Sequence, residues 1–430
     1  MRVQKLFDYF ERIEIVMGIK LMNILVVTSI YPREDAAEGS TATKVVHYFV
    51  KEWEKLGHKV IVIHAPNRIL YFTYYLPVSI REKLKAMTGN EFPDKSMLKK
   101  GEFPYDGVTV YRRPVFKLIP RSLSNNFLVN QCAKEIAGYL RGIRFTPDLI
   151  VGHWETPVIQ LINELGKRYD CKKSIVFHGN AYANKYPERM KELLKNYDAI
   201  GTRSLVSSID LQRMLDISKR PFVCYSGIPD SYVDLYKPDY TKFQYPIRNF
   251  IYVGTLIARK NCDSLIKALA KQEARDWHLD IVGDGAEKQN LMALSQELKV
   301  EGKITFHGKV PRETVIELMQ KAQCFIMNSR GEVFGLVYLE AMLANCITVA
   351  SLKEGMDGII NDGENGFLVE AGDVQELSNT IERIRTLTTD KATAIAEAGY
   401  RTGCNYTDSK VAARYLESIE TWNMEDTTNE

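Results

Sequence analysis

The run Asn23-Ile-Leu-Val-Val-Thr-Ser29, a helical stretch from Thr43 to Leu56, Gly57, and the run Lys59-Val-Ile-Val-Ile-His64 together decide the fold class. Both runs are almost continuously apolar and rich in β-branched residues, which suits strands covered on both faces, and a helix is the connection that parallel strands need. Gly57 stands where the helix must stop. This is a β-α-β unit. The same rhythm continues with strand signals at Val108 to Tyr111, Asp148 to Val151, Ser174 to Phe177 and Ala199 to Gly201. Helical stretches such as Asn126 to Arg141 and Pro157 to Lys167 lie between them. Alternation of this kind predicts an α/β fold with a parallel sheet covered on both faces.

A passage from Tyr225 to Pro246 containing Gly227, Pro229, Pro238 and Pro246 breaks the rhythm and is the candidate linker. The alternation then restarts. Phe250 to Val253 is followed by Gly254 and a helix from Cys262 to Lys271, and His278 to Val282 by Gly283-Asp-Gly285 and a helix to Leu298. Lys303 to Phe306 is followed by Gly308, Gln323 to Met327 by a helix at 335–344, and Ile347 to Ala350 by a glycine-rich loop. Five strands predict a second doubly wound domain, and 430 residues are too many for one core. The expected division is an N-terminal extension at 1–21, an N-terminal domain at 22–225 and a C-terminal domain at 226–404. Residues 405–430 complete it as a C-terminal helix, free to return to the N-terminal domain, and a mobile tail. The extension precedes Met22 and reads as the product of an upstream start codon.

Composition removes several classes. Arg2, Lys5, Asp8, Glu11, Arg12 and Glu14 interrupt any signal-peptide core, and the apolar segments fall short of the roughly 20 residues a spanning helix needs. A cytoplasmic protein is expected, with peripheral placement on the inner membrane face left open. Seven cysteines without a Cys-x-x-Cys pair suggest neither a disulfide framework nor a zinc ribbon. No Asp-x-Asp triplet or His-x-x-x-His pair occurs, so no metal and no cofactor is expected. Residues 1–225 carry a net charge of +12 and residues 226–430 one of −9. That asymmetry fits either a solvated surface or a basic half facing anionic lipid or a phosphorylated acceptor.

The strongest chemical signal is Asn328-Ser-Arg-Gly-Glu-Val-Phe-Gly-Leu-Val-Tyr-Leu-Glu-Ala-Met342. A helix starting near Gly335 puts Glu332 just before its N-terminus and Glu340 nearly two turns inside. Unpaired amides near Gly335 and Leu336 can bind a diphosphate, leaving the two glutamates to accept hydrogen bonds from sugar hydroxyls. The plain alternative is a helix cap and a solvated glutamate, but Phe334, Gly335 and Ala341 favour the functional reading. Upstream, Val253-Gly-Thr-Leu-Ile-Ala-Arg-Lys-Asn261 places Arg259 and Lys260 in a loop between strand and helix, where cations can meet a diphosphate.

The stretch from 328 to 342 resembles the E-x7-E signature of the retaining GT-B glycosyltransferases grouped as family 4. The resemblance implies two Rossmann-like, doubly wound domains facing a central cleft, with Glu332 on the transferred sugar and Glu340 on the nucleotide ribose. Lys260 matches the lysine of the family pattern, whereas Thr255 stands at its arginine position and Arg259 is the substitute. Gly254 and Gly283 belong to turns that line the donor site in this family, and Phe334, Gly335 and Leu336 complete the donor set. Gly39 and Ser40 occupy the loop where family members often carry a glycine pair; Gly39 is assigned to the donor and Ser40 to the acceptor side. His178, after the strand Ser174 to Phe177, is similar to the family histidine near the transferred sugar. His153 is a further acceptor-side candidate.

The resemblance supplies no carboxylate nucleophile in the N-terminal wall, so front-face displacement is expected over a covalent intermediate. The expected partners are a nucleotide-sugar donor and a glycan or lipid-linked acceptor in cell-surface polysaccharide assembly, and no nucleic acid. Competing readings are another GT-B activity, such as a nucleotide-sugar epimerase, and a catalytically silent partner subunit. The segment Arg68 to Lys85, rich in Tyr and Phe, either packs inside the N-terminal domain or docks on an anionic membrane with help from Lys99, Lys100, Arg112, Arg113 and Lys117.

Overall fold

A computed structural model of the protein describes residues 20–34, 43–68, 77, 79–80, 98–117 and 122–422. Gly39, Ser40, the extension as far as residue 19 and most of the aromatic segment 68–85 lie outside the described residues. The chain forms two compact units. One comprises the described parts of Met1–Thr202, Ser207–Cys224 and Ala412–Glu430; the other comprises Arg203–Val206 and Tyr225–Val411.

The first unit is built on ten strands: β1 (Asn23–Thr28), β2 (Lys59–His64), β3 (Asn67–Arg68), β4 (Gly101–Glu102), β5 (Val110–Arg112), β6 (Val115–Phe116), β7 (Leu149–His153), β8 (Lys172–Phe177), β9 (Ala199–Thr202) and β10 (Phe222–Val223). Eight of them make one sheet in the order β10-β9-β8-β7-β1-β2-β5-β4. β1 lies between β2 and β7, with Ile24 in register with Val60 on one side and Leu149 on the other. The apolar runs sit here because both faces of the strands are covered. Pairing is parallel except at β4, which runs antiparallel to β5 and departs from the purely parallel sheet expected. The expected strand Val108 to Tyr111 is shifted to Val110–Arg112, where it pairs with Val62, Ile63 and His64 of β2.

The helix Val45–Lys55 buries Val46, Phe49, Val50 and Trp53 at helical spacing. It ends in a Schellman turn: Gly57 at φ 93° donates to Glu54 O and His58 donates to Trp53 O. Trp53 is fully buried and its Nε1 donates to Ala412 O at 3.0 Å, tying the C-terminal segment into this unit. Of the basic residues named for membrane docking, Lys99 and Lys100 are exposed, whereas three others are not. Arg112 is buried over the Phe103 ring, Arg113 is paired with Glu135 at 2.5 Å, and Lys117 is buried. Among the described residues, no helix is long and apolar enough to cross a membrane.

The second unit carries six parallel strands where five were expected: β11 (Asn249–Val253), β12 (His278–Val282), β13 (Ile304–Gly308), β14 (Cys324–Ile326), β15 (Ile347–Ser351) and β16 (Phe367–Val369). Their order is β13-β12-β11-β14-β15-β16, the doubly wound arrangement whose direction of winding reverses between β11 and β14. Loops after those two strands therefore diverge around a crevice at their carboxyl ends, where ligands of such sheets bind. The passage expected as a linker is part of this unit's core. Ile228, Tyr236 and Phe243 are buried there. The Lys242 ammonium donates to Ala322 O at 2.7 Å, Ala344 O at 2.9 Å and Gln320 O at 3.3 Å, satisfying carbonyls at the ends of two helices.

A buried carboxyl follows β7. Glu155 is 7% exposed; its Oε2 accepts from Tyr182 N at 3.1 Å and its Oε1 has no partner among the described residues. The nearby Lys117 ammonium instead donates to Thr156 Oγ1 and Tyr182 Oη. Burial pushes the Glu155 carboxyl up to about 7 from its ordinary 4.5, against the pull of the Tyr182 amide and Lys117. A carboxyl whose folded pKa is raised loses stability as pH climbs from its unfolded value through its folded one, here from about 4.5 to about 7. Glu155→Gln is therefore expected to match the parent at pH 4.5 and to exceed it by on the order of 2 kcal/mol at pH 8. Urea unfolding of both proteins at the two pH values measures this, and an equal difference at both would contradict it.

Candidate functional site

In the second unit the two loops that diverge at the β11/β14 switch point carry Lys260 and Glu332. The first leaves β11 through Gly254, whose amide donates to Val282 O, and turns in a short 3-10 helix, Ala258–Lys260. Asn261 ends that turn in the left-handed region at φ 50°, and its Nδ2 donates to Asn328 O at 2.8 Å, fastening the first loop to the second. Arg330 N donates to Arg259 O at 2.7 Å as a further tie. The chain after β12 approaches just as closely. A Cβ on Gly283, at φ 139°, would lie 1.9 Å from Gly254 O, so only glycine fits.

The second loop is held from below. The Glu354 carboxylate accepts from Gly331 N at 2.8 Å and Glu332 N at 2.7 Å, while Gly355 N donates to Glu332 O at 2.9 Å. Gly335, at φ 80°, caps the helix Leu336–Leu343, and a Cβ there would strike the Tyr338 ring at 2.5 Å. That ring is fixed because Tyr338 Oη donates to Met327 O at 2.6 Å. Phe334 is buried against Tyr225, while Leu336 is exposed at the first turn. The helix thus begins one residue later than the sequence suggested, with its first-turn amides next to Glu332.

Lys260 Nζ donates to Glu332 Oε2, Arg259 Nη1 lies 3.7 Å from the same oxygen, and Ser329 Oγ donates to it at 3.3 Å. Lys260 and Glu332 are each only 13% exposed at the side chain, against 49% for Arg259. The expectation of two glutamates free to accept from a ligand needs correction, because both are already paired. Glu340, 8% exposed, has Arg312 Nη2 at 2.6 Å from its Oε1. Burial raises the Glu340 carboxyl above its usual range and Arg312 pulls it back. Arg312, Ser329 and Glu354 escaped the sequence reading. Arg312 looks like any charge at a helix start, and Glu354 is 23 and 22 residues from the two amides it holds.

In the first unit β7 and β8 are neighbours, with His153 opposite Val176, and their ends bring two histidines together. His153 Nδ1 and His178 Nε2 are 3.0 Å apart, and the Trp154 ring stacks on His178 at 3.8 Å. His153 is fully buried, whereas His178 is half-buried. Among the described residues no cluster of three or more His, Cys, Asp or Glu side chains is arranged to hold a metal ion.

Residues 245–402, which contain Arg259, Lys260, Glu332 and Glu340, match the sequence model of the family Glycosyl transferases group 1. The lipopolysaccharide core biosynthesis glycosyltransferase LpsE of Rhizobium meliloti is 31% identical over 150 residues, 35% of this chain. The matched stretch spans 43% of that relative, less than half its length. A glycosyltransferase from Rickettsia africae, 18% identical, superposes with a TM-score of 0.62 over 94% of this chain and 99% of its own. HepE of Anabaena, crystallised with UDP and glucose, is 16% identical and gives a TM-score of 0.57 over 93% of this chain and all of its own. At such identities the structural likeness speaks for the fold. The described chain therefore has the GT-B fold, and its residues 245–402 carry the glycosyl transferases group 1 pattern.

Proposed function

We propose that the protein is a retaining glycosyltransferase that moves a sugar from a nucleotide-diphosphate donor to a glycan or lipid-linked acceptor in cell-surface polysaccharide assembly. The observation that carries this reading is the pairing of Lys260 and Arg259 with Glu332 beside the N-terminus of the helix Leu336–Leu343, at the switch point of a doubly wound sheet. Two cations and a set of helix amides suit a diphosphate, and a carboxylate next to them suits sugar hydroxyls. In this structure the cations and the carboxylate satisfy each other. A donor that brings both phosphate and hydroxyl groups replaces each half of that pair with a partner of the right kind. The relatives named above support glycosyl transfer, and the complex of HepE with UDP and glucose supports a nucleotide-sugar donor.

The reaction follows from charge. As the anomeric carbon to phosphate oxygen bond breaks, its electron pair passes to the diphosphate, where Lys260, Arg259 and the helix amides stabilise it. The acceptor hydroxyl attacks the anomeric carbon on the same face, and its proton goes to the departing phosphate oxygen. Glu332 and Glu340 hold the sugar and the ribose. The first unit serves the acceptor, with His178 keeping the sugar contact that the family resemblance implies and His153 positioning it. Gly39 and Ser40 keep their donor and acceptor assignments. No metal or cofactor is required in this reading, because protein groups supply the positive charge.

Thermal-shift screening with UDP-, GDP- and ADP-sugars identifies the donor, since a ligand stabilises the native state by an amount that grows with the logarithm of its concentration over Kd. With that donor, Glu332→Gln and Lys260→Met are each expected to lower kcat/KM by on the order of 100-fold while circular dichroism remains that of the folded protein. Turnover near the parent level in both would sink the assignment. In the product, NMR should find the donor's anomeric configuration retained; inversion rejects front-face displacement, and an altered sugar without an acceptor identifies the epimerase instead. Activity should survive EDTA. Loss that manganese or magnesium restores would overturn the metal-independent reading.

A further inference from the structure

Glu340 lies on a helix whose residues from Tyr338 to Leu343 are all buried. A carboxylate in that setting is costly unless it is paired, and its partner comes from another helix, Arg312–Lys321. Arg312 is the first residue of that helix, directly after Pro311, and its guanidinium lies over the Tyr232 ring at 4.9 Å. Backbone and ring together fix where the guanidinium can be. Nη2 meets Glu340 Oε1 at 2.6 Å as an ion pair, while neither Nε nor Nη2 has a hydrogen-bond partner of good geometry among the described residues. The ion pair is made to Oε1 alone, and the second oxygen, Oε2, is not among the buried side-chain atoms left without a hydrogen-bond partner. One oxygen is thus occupied by a fixed cation while the other is left to accept from a ligand.

We propose that Arg312 is a positioning residue for the donor: it holds the Glu340 carboxylate in the rotamer in which Oε2 accepts hydrogen bonds from the ribose hydroxyls. This rests on the reading of Glu340 as the ribose contact. Without Arg312 the carboxylate has no cation to fix its rotamer and is buried unpaired. The other titratable groups around the pair are Tyr236 and Tyr232, on the helix Ser231–Leu235 and the residue after it; burial and the Glu340 charge push the Tyr236 hydroxyl upward, so neither tyrosine replaces the missing cation. Arg312 therefore governs the recognition of one part of the nucleotide, the sugar, and leaves the diphosphate contacts at Lys260 and the helix N-terminus untouched.

The test compares binding of UDP, GDP and ADP with that of their 2′,3′-dideoxy counterparts, by calorimetry on the full chain. The parent should prefer the ribonucleotide it binds by on the order of 10-fold or more, as befits hydrogen bonds to a charged group. Glu340→Gln and Arg312→Gln should both lose most of that preference, while affinity for the dideoxy nucleotide changes little. A merely structural Arg312 would weaken both nucleotides alike. The acid limb of ribonucleotide binding should also move to higher pH in Arg312→Gln, since the buried carboxylate then loses the cation that pulls its pKa down and protonates more readily. Preference retained in Arg312→Gln but lost in Glu340→Gln overturns the role of Arg312. Preference retained in Glu340→Gln, or no nucleotide bound by the parent, overturns the donor-site reading beneath it. If Arg312→Gln does not fold, Arg312→Lys carries the test: its single-point contact should keep only part of the preference, and full retention overturns the proposal.

Discussion

The ion pair between Lys260 and Glu332 is the interaction on which the loops of the second unit depend. It joins the loop after β11 to the loop after β14, two segments that the winding of the sheet drives apart. Neither charge can be buried alone without a cost of several kcal/mol, so each stays where it is because the other does. Everything around the pair serves to fix it. Asn261 and Arg330 bind the loops backbone to side chain and backbone to backbone, and Glu354 holds the amides of Gly331 and Glu332. Gly335 allows Tyr338 to pack beneath the turn.

The two loops are ordered by charges that satisfy one another. The half-buried position matters. In open water the pair would contribute little, and deep in the core its desolvation would outweigh its attraction. At 13% exposure on both sides it is strong enough to order two loops while both side chains keep some access to solvent. The pair of Arg312 and Glu340 repeats this arrangement between two helices, with the difference that the cation is fixed over an aromatic ring.

Much of the fold was legible because parallel strands buried on both faces leave long apolar runs, as in Asn23–Thr28 and Lys59–His64. The elements that escaped were those defined by a partner and not by their own pattern. β4, β10 and β16 are two or three residues long, and nothing in Phe367–Val369 distinguishes it from a loop until β15 lies beside it. The passage 225–246 carries the prolines and glycines of a linker, but Ile228, Tyr236 and Phe243 belong to the core and Lys242 closes two helix ends. Polar punctuation reports where the backbone turns and is silent on what the intervening side chains bury.

The candidate site divides along the same line. Glu332, Glu340 and Lys260 were found because local chemistry marks them: a carboxylate before a glycine-capped helix, another two turns on, a cation between strand and helix. Arg312 and Glu354 could not be found that way, since a long-range hydrogen bond or ion pair has no sequence spacing of its own. They differ in kind from the first group. Glu354 spends its carboxylate on backbone amides and therefore shapes the loop, whereas Arg312 spends only part of its guanidinium on one carboxylate oxygen and therefore shapes an acceptor. Residues of the second sort determine how selectively a site binds while leaving little trace in the sequence that forms it, because what they contribute is the orientation of another residue's charge.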